Sequence, residues 1–472
     1  MTASTALPRP RPARLACAAA AAALLLAGCT TLAPPYEAPA MPVPQRYAGA
    51  AEPGGAVAAA TAWRDYFTDP QLQALIVQAL EHNRDLRTAA LRVQEARAAY
   101  GIQSAELSPS VGAQANMDRA RTPADLSLTG RPMVASQYQV GLGMASWEID
   151  LASDAARHAV TVSLIAQVAG GYLALRELDE RLALAEQSSA SREESLRISR
   201  RRVEVGSDSR LHLTQMQTLL TQAQALVAQL SLERARQAHA LGQLVGTGVA
   251  LAPAAGRLAE QQMPRLAAGL PSDLLAQRPD IVAAEHQLRA AHAQIGAARA
   301  AFFPSISLTG AFGTASDELG GLFEGGSRAW TFSPSITLPI FSGGRLKGNL
   351  ALAEVRRDLA VANYERAVQQ AFRDVSDALA GRQWLERQSR IAQEALAVQT
   401  ERARLSQLRY DHGAAAFLDV LDAQRDLLVA QQQTVQAQRL LLSSQVSLYA
   451  ALGGGTLTQT NTPIGPRGPG TP

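Results

Sequence analysis

Residues 278–281 read Arg-Pro-Asp-Ile, and residues 303–310 read Phe-Pro-Ser-Ile-Ser-Leu-Thr-Gly. The residues between these two motifs are rich in Ala, Gln and Arg, which favours a helix. Pro304 ends that helix, because proline has no amide hydrogen and disfavours the helical conformation in the residue before it. After Pro304, apolar and small polar side chains alternate with the period of two that is typical of a β-strand. The stretch therefore predicts a helix that leads directly into a strand.

The same design occurs once earlier in the chain, between Arg84 and Val111. A shift of about 195 positions superposes Asp85 on Asp280 and Pro109 on Pro304, and the apolar positions of the helix between them coincide as well. A match that keeps both the helical face and the helix-ending proline indicates an internal duplication. We therefore predict two repeats, at residues 63–262 and 263–453, that build one body.

Composition and charge narrow the class of protein. Only 5% of the 472 residues are aromatic, and Ala, Gln and Leu dominate the helical stretches, which suits long helices packed side by side. The formal charge of +3 comes from 44 basic and 41 acidic residues, and the first 28 residues hold three arginines and no acid. Without that leader the chain is neutral, so we predict no nucleic-acid partner.

Residues 1–28 are predicted to be a lipoprotein signal peptide. A positive segment from Arg9 to Arg14 precedes an apolar segment that is too short to span a bilayer, and Leu26-Ala27-Gly28-Cys29 follows. This ending resembles the lipobox of bacterial lipoproteins, which implies cleavage before Cys29, acylation of its thiol and, with Thr30 next, sorting to the outer membrane. The alternative is an ordinary signal peptide with an incidental cysteine. Residues 29–62 are rich in Pro and Ala and are predicted to be a lipid-anchored tether.

Each repeat carries a predicted β-hairpin. A helix over about Gln71 to Leu107 precedes strands at 111–118 and 138–144, and the second copy has strands at 306–312 and 330–340. Strands of about ten residues are long enough to cross a membrane within a barrel. Four strands cannot close a barrel, and an open edge in hydrocarbon leaves backbone groups unpaired. The chain must therefore oligomerise or stay out of the bilayer. Two chains give eight strands and three give twelve.

Each hairpin is followed by a predicted pair of long helices. Ser342 to Arg409 contains no proline and predicts one helix on the order of 100 Å long. A turn at 410–413 reverses the chain into a helix over Phe417 to Leu452, which carries two heptad seams and so has two neighbours, as in the wall of a tube. A coiled-coil or spectrin-like rod is the alternative, although a rod has no use for the strand hairpins. The matching turn of the first repeat lies at Gly206, and residues 454–472 are predicted to be a disordered tail.

These features together resemble one known family. Its marks are the lipobox, the entry at 63–70, the motifs at 278–280, 295–299 and 303–305, and Tyr410-x-x-Gly413 followed by Leu418-Asp419-Val420-Leu421-Asp422. The chain is similar to the TolC-type outer membrane factor family, on its lipoprotein branch of OprM/NodT-like efflux proteins. The resemblance spans roughly Cys29 to Gly453.

The resemblance implies an α+β membrane protein that assembles as a homotrimer. Its twelve strands form one β-barrel in the outer membrane, and a long α-helical barrel continues through the periplasm. The far end docks to a periplasmic adaptor (a membrane fusion protein), which is coupled to an inner-membrane pump of the RND type. The implied function is passive export of drugs or other small toxic compounds, without a cofactor.

The resemblance also assigns site residues. Asp419 and Asp422 fall where the family places acidic rings that narrow the periplasmic mouth, and Tyr410 matches a position linked to that gate. Positions three apart share a helix face, and threefold symmetry makes each a ring of like charges that attracts cations. The alternative is that an Asp near a helix start complements the macrodipole and caps backbone amides. The tip turns that face the adaptor contain the following residues: Gly206, Gly413, Arg202, Arg409, Leu211 and Leu418.

The first repeat departs from the family pattern in two ways. His212 stands where Asp419 stands in the second repeat, which puts any latch between the two turns in doubt. The segment from strand to turn is also about 16 residues shorter than in the second repeat, or roughly 24 Å of helix. Helix is lost just after Glu148-Ile149-Asp150, so either the tube wall is thin there or the helix starts late after an extended piece.

Other function classes find little in the sequence. The seven His residues have no metal-ligand spacing, and no phosphate-binding loop or nucleophile motif occurs, so we expect neither an enzyme nor a metal site. A conduit for type I protein secretion and a non-porous structural envelope lipoprotein remain as alternatives to the efflux channel.

Overall fold

The computed structural model describes residues 32–37, 39–40, 44, 47, 55–105, 108, 110–127, 130–145, 155–207, 209–248, 256–267, 269, 275 and 277–456. Cys29, the predicted signal peptide and Glu148-Ile149-Asp150 lie outside these residues. The chain divides into two units. The sheet unit comprises residues 1–39, 99–151 and 286–363, and the helical unit comprises residues 40–98, 152–285 and 364–472.

The sheet unit contains one antiparallel sheet in the order β1-β2-β3-β4. Its strands are β1 (Ser110–Thr122), β2 (Met133–Ala145), β3 (Ser305–Ser316) and β4 (Arg328–Thr337). The two hairpins of the repeats are joined where β2 pairs with β3, from Tyr138 opposite Ser316 to Met144 opposite Gly310. The prediction that β4 extends to Ile340 is wrong, because the pairing ends at Ser305 opposite Thr337 and Pro339 has no amide hydrogen to donate.

One face of this sheet is apolar and the other is polar. In the second hairpin Ile306 lies opposite Ile336 and Phe312 opposite Trp330, and these side chains are between 64% and 74% exposed. The opposite face carries hydroxyl groups, such as the Ser307 and Ser335 pair at 2.7 Å. In the first hairpin Leu142 is on the apolar face and pairs with Phe312, so the face runs across all four strands. The alternation predicted from the sequence is confirmed.

The helix predicted over Gln71 to Leu107 is two helices, α2 (Pro70–His82) and α3 (Arg84–Ala105). The break is at Asn83, whose backbone is extended at ψ 131° and whose side chain is buried. Its amide donates to the carbonyl of Leu244, and its Oδ1 accepts from the amide of Leu86 at 2.8 Å. The chain ends one helix and begins the next at Asn83, so predicting a single helix was wrong.

The helical unit is built on two long helical hairpins. In the first, α4 (Ala155–Glu204) returns as α5 (Arg210–Val245); in the second, α7 (Arg345–Asp411) returns as α8 (Phe417–Ala451). The 67-residue α7 and 35-residue α8 match the predicted helices within a few residues. The described part of α4 has 50 residues, 17 fewer than α7, and residues 146–154, where the sequence predicts the loss of helix, lie outside the described residues.

Helix α4 lies at the centre of the helical unit, because it packs against both α5 and α8. Among the described residues it is the one helix that is long and apolar enough to cross a membrane. Its apolar side chains, such as Val168 and Leu173, are fully buried, which is typical of a core helix.

Aromatic side chains join the start of the first repeat to helix α8. A short helix, α1 (Trp63–Tyr66), places the Tyr66 ring against Tyr449 of α8 with ring centroids 4.5 Å apart. Each hydroxyl donates to a backbone carbonyl at 2.9 Å, Tyr66 to Gln445 and Tyr449 to Thr61. The prediction of a disordered tail from residue 454 is wrong at its start, because Gly454 and Gly455 are buried and the amide of Gly455 donates to the carbonyl of Ala58. Residues 457–472 of the predicted tail are outside the described residues.

The Arg278-Pro279-Asp280 motif ties the start of α6 (Pro279–Ala300) to the second hairpin. The Arg278 guanidinium donates to Asp280 at 2.6 Å, to Asp374 of α7 at 3.2 Å and to the carbonyl of Ala451 at the end of α8. Its side chain is only 11% exposed. The motif, which in the sequence was only a mark of the family resemblance, therefore joins the start of α6 to α7 and to the end of α8.

Candidate functional site

The predicted site lies at the ends of the two helical hairpins. Gly206 and Gly413 have φ of 73° and 70°, the left-handed region that favours glycine. Each turn closes with the same pair of backbone bonds, in the second repeat from Gly413 to Tyr410 and from Ala414 to Arg409. This is the Schellman ending of a helix, so both glycines are in the role that the sequence predicted for them.

The ends of the two hairpins are packed together. The ring of Phe417, the first residue of α8, lies 4.8 Å from Tyr410 and 5.4 Å from His212 of α5. Phe417 also packs on a buried cluster of Leu196, Met216 and Leu421, which come from α4, α5 and α8. The turns of the two repeats are therefore held at the same end of the helical unit.

A hydrogen bond also joins the two turns. Arg202, at the end of α4, donates to the hydroxyl of Tyr410, at the end of α7, over 3.1 Å. The presence of His212 in place of an acid argued against such a latch. The geometry instead joins the turns through an arginine and a phenol, while Arg409 caps its own turn by donating to the carbonyl of Ala414.

The two predicted gate aspartates have different surroundings. Both line a groove between α7 and α8, with Val398, Leu405 and Arg409 on the facing helix. Asp422 pairs with Arg425 at 3.1 Å. Asp419 is exposed, and no cation of the described chain pairs with it. Helix α8 has no side-chain cap at its start, so Asp419 caps no amide there, although its charge still complements the macrodipole.

Further charged groups, which no sequence pattern marks, lie near these aspartates. Arg402 of α7 donates to Asp426 of α8 over 2.6 Å, and Arg425 bonds the same carboxylate. These hydrogen bonds, first from Arg402 and then from Arg425, lower the pKa of Asp426. Arg192 of α4 donates to the carbonyl of Leu219. Burial and the nearby charge of Arg425 lower the pKa of Arg192.

These groups form a charged chain across three helices, from Arg402 on α7 through Asp426 and Arg425 on α8 to Arg192 on α4. No spacing in the sequence marks the partners, since arginines are frequent throughout the chain. Asp419, Asp422 and Asp426 are therefore unequal in charge balance, and among these three Asp419 is the one without a counter-ion in the described chain.

Comparison with known proteins agrees with this geometry. The family model described as outer membrane efflux protein matches residues 75–247 and 270–454. The chain belongs to the outer membrane efflux protein family. Solvent efflux pump outer membrane protein SrpC of Pseudomonas putida is 42% identical to it over 461 residues, covering 93% of this chain and 98% of SrpC. Outer membrane protein OprJ of Pseudomonas aeruginosa is 41% identical over 452 residues, covering 91% of this chain and 94% of OprJ.

A solved member of the outer membrane efflux family has the same fold. The open state of the Neisseria gonorrhoeae MtrE outer membrane channel superposes with a TM-score of 0.81 at 40% identity, covering 90% of this chain and 99% of that chain. This confirms the predicted family and the α+β architecture of four strands and long helices per chain.

The remaining predicted tip residues, Leu211 and Leu418, are 69% and 51% exposed. Cys29 lies outside the described residues.

Proposed function

We propose that three copies of this chain form an outer-membrane channel that passively exports drugs or other small toxic compounds as part of a tripartite efflux system. The observation that carries the proposal is the four-stranded sheet with an apolar face across all its strands. Within the described chain, β1 and β4 each pair on one side only. Closing those edges in lipid requires further copies, and three copies give a twelve-stranded barrel.

The outer membrane is the location that fits both the family and the sheet. We propose that Cys29 adds a lipid anchor there, because Leu26-Ala27-Gly28-Cys29 resembles the lipobox of bacterial lipoproteins. From Leu32 to Glu37 the chain lies along α6: Arg299 donates to the carbonyl of Leu32 at 3.2 Å, and the Tyr36 ring contacts His292 at 5.5 Å. The tether is thus held against the sheet unit close to the proposed acylation site.

We propose that the tip of the helical unit is the periplasmic gate. Threefold symmetry makes one ring of Asp419 and one of Asp422, and the Arg202–Tyr410 bond holds the two turns of each subunit together. Because Arg425 offsets the charge of Asp422, the Asp419 ring carries most of the attraction for cations. The same tip presents Leu211 and Leu418 at the surface, and we assign it to docking of a periplasmic adaptor that is coupled to an RND-type pump.

The gate assignment is tested by single-channel recording. Replacing both aspartates, Asp419→Ala with Asp422→Ala, is expected to widen or neutralise the closed mouth and to lower cation selectivity. The single variant Asp419→Asn should lower selectivity more than Asp422→Asn does. Unchanged conductance and selectivity in the double variant would remove both residues from the gate.

The efflux assignment is tested by drug and solvent susceptibility of a strain that lacks the chain. Complementation should restore resistance, as the efflux names of the relatives suggest. If complementation restored export of a polypeptide and left susceptibility unchanged, the type I secretion conduit would be the correct function instead.

A further inference from the structure

One end of the apolar face of the sheet carries arginines. Strand residues two apart share a face, so on β1 the apolar Met117 is followed on its own face by Arg119 and Arg121. On β4 the apolar Trp330 is preceded on its face by Arg328. The register of the four strands puts these residues on one and the same face of the sheet. All three arginines are exposed.

The internal duplication places arginines of the two hairpins at one level. The shift of 195 positions that superposes the repeats carries Arg119 onto Thr314. Thr314 lies opposite Arg328 in the register of β3 and β4. Arg119 and Arg328 therefore occupy equivalent levels of their hairpins, and Arg121 lies roughly 7 Å further along β1. Each repeat thus presents a cation at the same depth.

These arginines lie at the end of the sheet that is remote from the helices. Within the sheet unit, α3 leads into β1 and α7 follows β4 at one end of the strands, whereas the arginines stand near the hairpin loops at the other end. Because the proposed channel extends its helices into the periplasm, the hairpin loops face the outside of the cell.

Spacing along the strands places the arginines at the boundary of the apolar band. Eight residues separate Ile336 from Arg328, and eight separate Val111 from Arg119. That is roughly 27 Å along a strand. A strand tilt of about 40° leaves roughly 20 Å across the bilayer, which nearly fills the apolar band of about 25 Å in such barrels. The arginines therefore lie where the hydrocarbon ends and the head groups begin.

The arginines have no counter-ion on their own face. The single acid of the four strands, Asp118, lies on the opposite face, and other acids such as Asp317 and Glu324 are in the loop beyond β3. None of the three guanidinium groups forms an ion pair within the described chain. An unpaired cation at the edge of hydrocarbon is costly, so its partner is expected to be an anion from outside the chain.

We propose that Arg119, Arg121 and Arg328 bind the phosphate groups of lipid head groups in the outer leaflet of the membrane. A guanidinium presents its N–H donors in a planar fork that matches two phosphate oxygens. Met117 and Trp330 lie next to the arginines on the same face, and they would contact the apolar part of the same lipid. A free phosphate would gain nothing from these apolar neighbours, so the surface favours a phosphorylated lipid. The inference rests on the proposed channel and adds a lipid ligand on its outer wall.

Lipid binding is tested by native mass spectrometry of the full-length protein in detergent, titrated with lipid A that carries two phosphates. An arginine near an anionic surface strengthens binding about fivefold. The triple variant Arg119→Gln, Arg121→Gln and Arg328→Gln should therefore bind this lipid roughly 100-fold more weakly. Each single variant should lose about fivefold, so the test does not depend on assembly of the triple variant. The control Arg345→Gln, an exposed arginine at the opposite end of the sheet unit, should bind as the unmodified protein does.

Two further probes separate the possible sources of binding. Lipid A without phosphates should bind the unmodified protein as weakly as phosphorylated lipid A binds the triple variant. Inorganic phosphate in excess, compared with chloride at the same ionic strength, should leave lipid binding unchanged. Equal binding of the dephosphorylated lipid, displacement by inorganic phosphate, or full affinity in the arginine variants would each overturn the lipid site. The same spectra report the oligomer, so trimers in those cases leave the channel standing, whereas monomers throughout would overturn both.

Discussion

Removing one hydroxyl group at the tip, Tyr410→Phe, is expected to favour the open channel. The variant deletes the bond that Arg202 makes to the phenol at 3.1 Å but keeps the ring that packs 4.8 Å from Phe417. A hydrogen bond of this kind contributes about 0.5–1.5 kcal/mol net, and exposure at the tip places this one in the lower half of that range. Three equivalent subunits together lose about 1.5–3 kcal/mol of closed-state stability, which corresponds to a roughly 10- to 150-fold rise in the open-to-closed ratio.

The assay is the open probability of single channels in planar bilayers. Tyr100→Phe is the matched control, because Tyr100 is 41% exposed and makes no hydrogen bond in the described chain. This control should behave like the unmodified protein. Replacing the donor, Arg202→Gln, should raise the open probability in the same direction. An open probability that is unchanged or lower in Tyr410→Phe would refute the idea that this bond holds the turns of a closed gate.

Three further predictions concern the tether, the Arg278 junction and the charged chain. A Cβ atom at Gly296 of α6 would lie 2.9 Å from the amide nitrogen of Ala33, so Gly296→Leu should displace the tether. Chymotryptic cleavage at Tyr36 should then rise several-fold. The control is Gly101→Leu, at the equivalent position of the first repeat, where nothing lies within 4 Å of an added Cβ; it should leave cleavage unchanged. Arg278→Gln should lower the free energy of unfolding by about 2–3 kcal/mol in thermal melts, which is less than for a fully buried ion pair because the carboxylate partners of Arg278 are partly exposed. The control is Arg373→Gln, whose side chain is exposed; it should change the free energy of unfolding by less than about 0.5 kcal/mol. Arg402 and Arg425 lower the pKa of Asp426, so these pairs stabilise the folded protein above about pH 4, and that stabilisation is lost as pH falls through the lowered pKa. The loss of unfolding free energy in Arg402→Gln should therefore be equal at pH 7.5 and pH 5.0 and should shrink below about pH 4.

The sequence predicted those parts of the fold that local chemistry decides. Pro304 and the alternation after it placed β3, and the glycines at 206 and 413 placed the two tip turns, because each feature constrains the backbone where it stands. Seven-residue spacing in α8 likewise marked positions that are buried, such as Leu428 and Leu442.

Features that depend on distant partners were missed. Asn83 breaks a helical pattern because its amide reaches Leu244, 161 residues further along the chain, and no local signal marks that contact. The sequence also does not reveal the Arg402–Asp426 pair or the approach of Arg192 to Arg425, because arginines are frequent throughout the chain and no spacing marks the ones that meet these partners. The end of β4 at Thr337 depends on the register with β3 as well as on Pro339. The charge balance around Asp419 and Asp422 therefore needed the structure, whereas the position of the two tip turns did not.

The most direct test of the central claim is the conductance of the purified full-length protein in planar bilayers. If copies of the chain close their sheets into one barrel, a purified oligomer should give discrete, uniform single-channel steps in lipid. A folded protein that binds to the bilayer and passes no current would contradict the channel and favour the non-porous envelope lipoprotein.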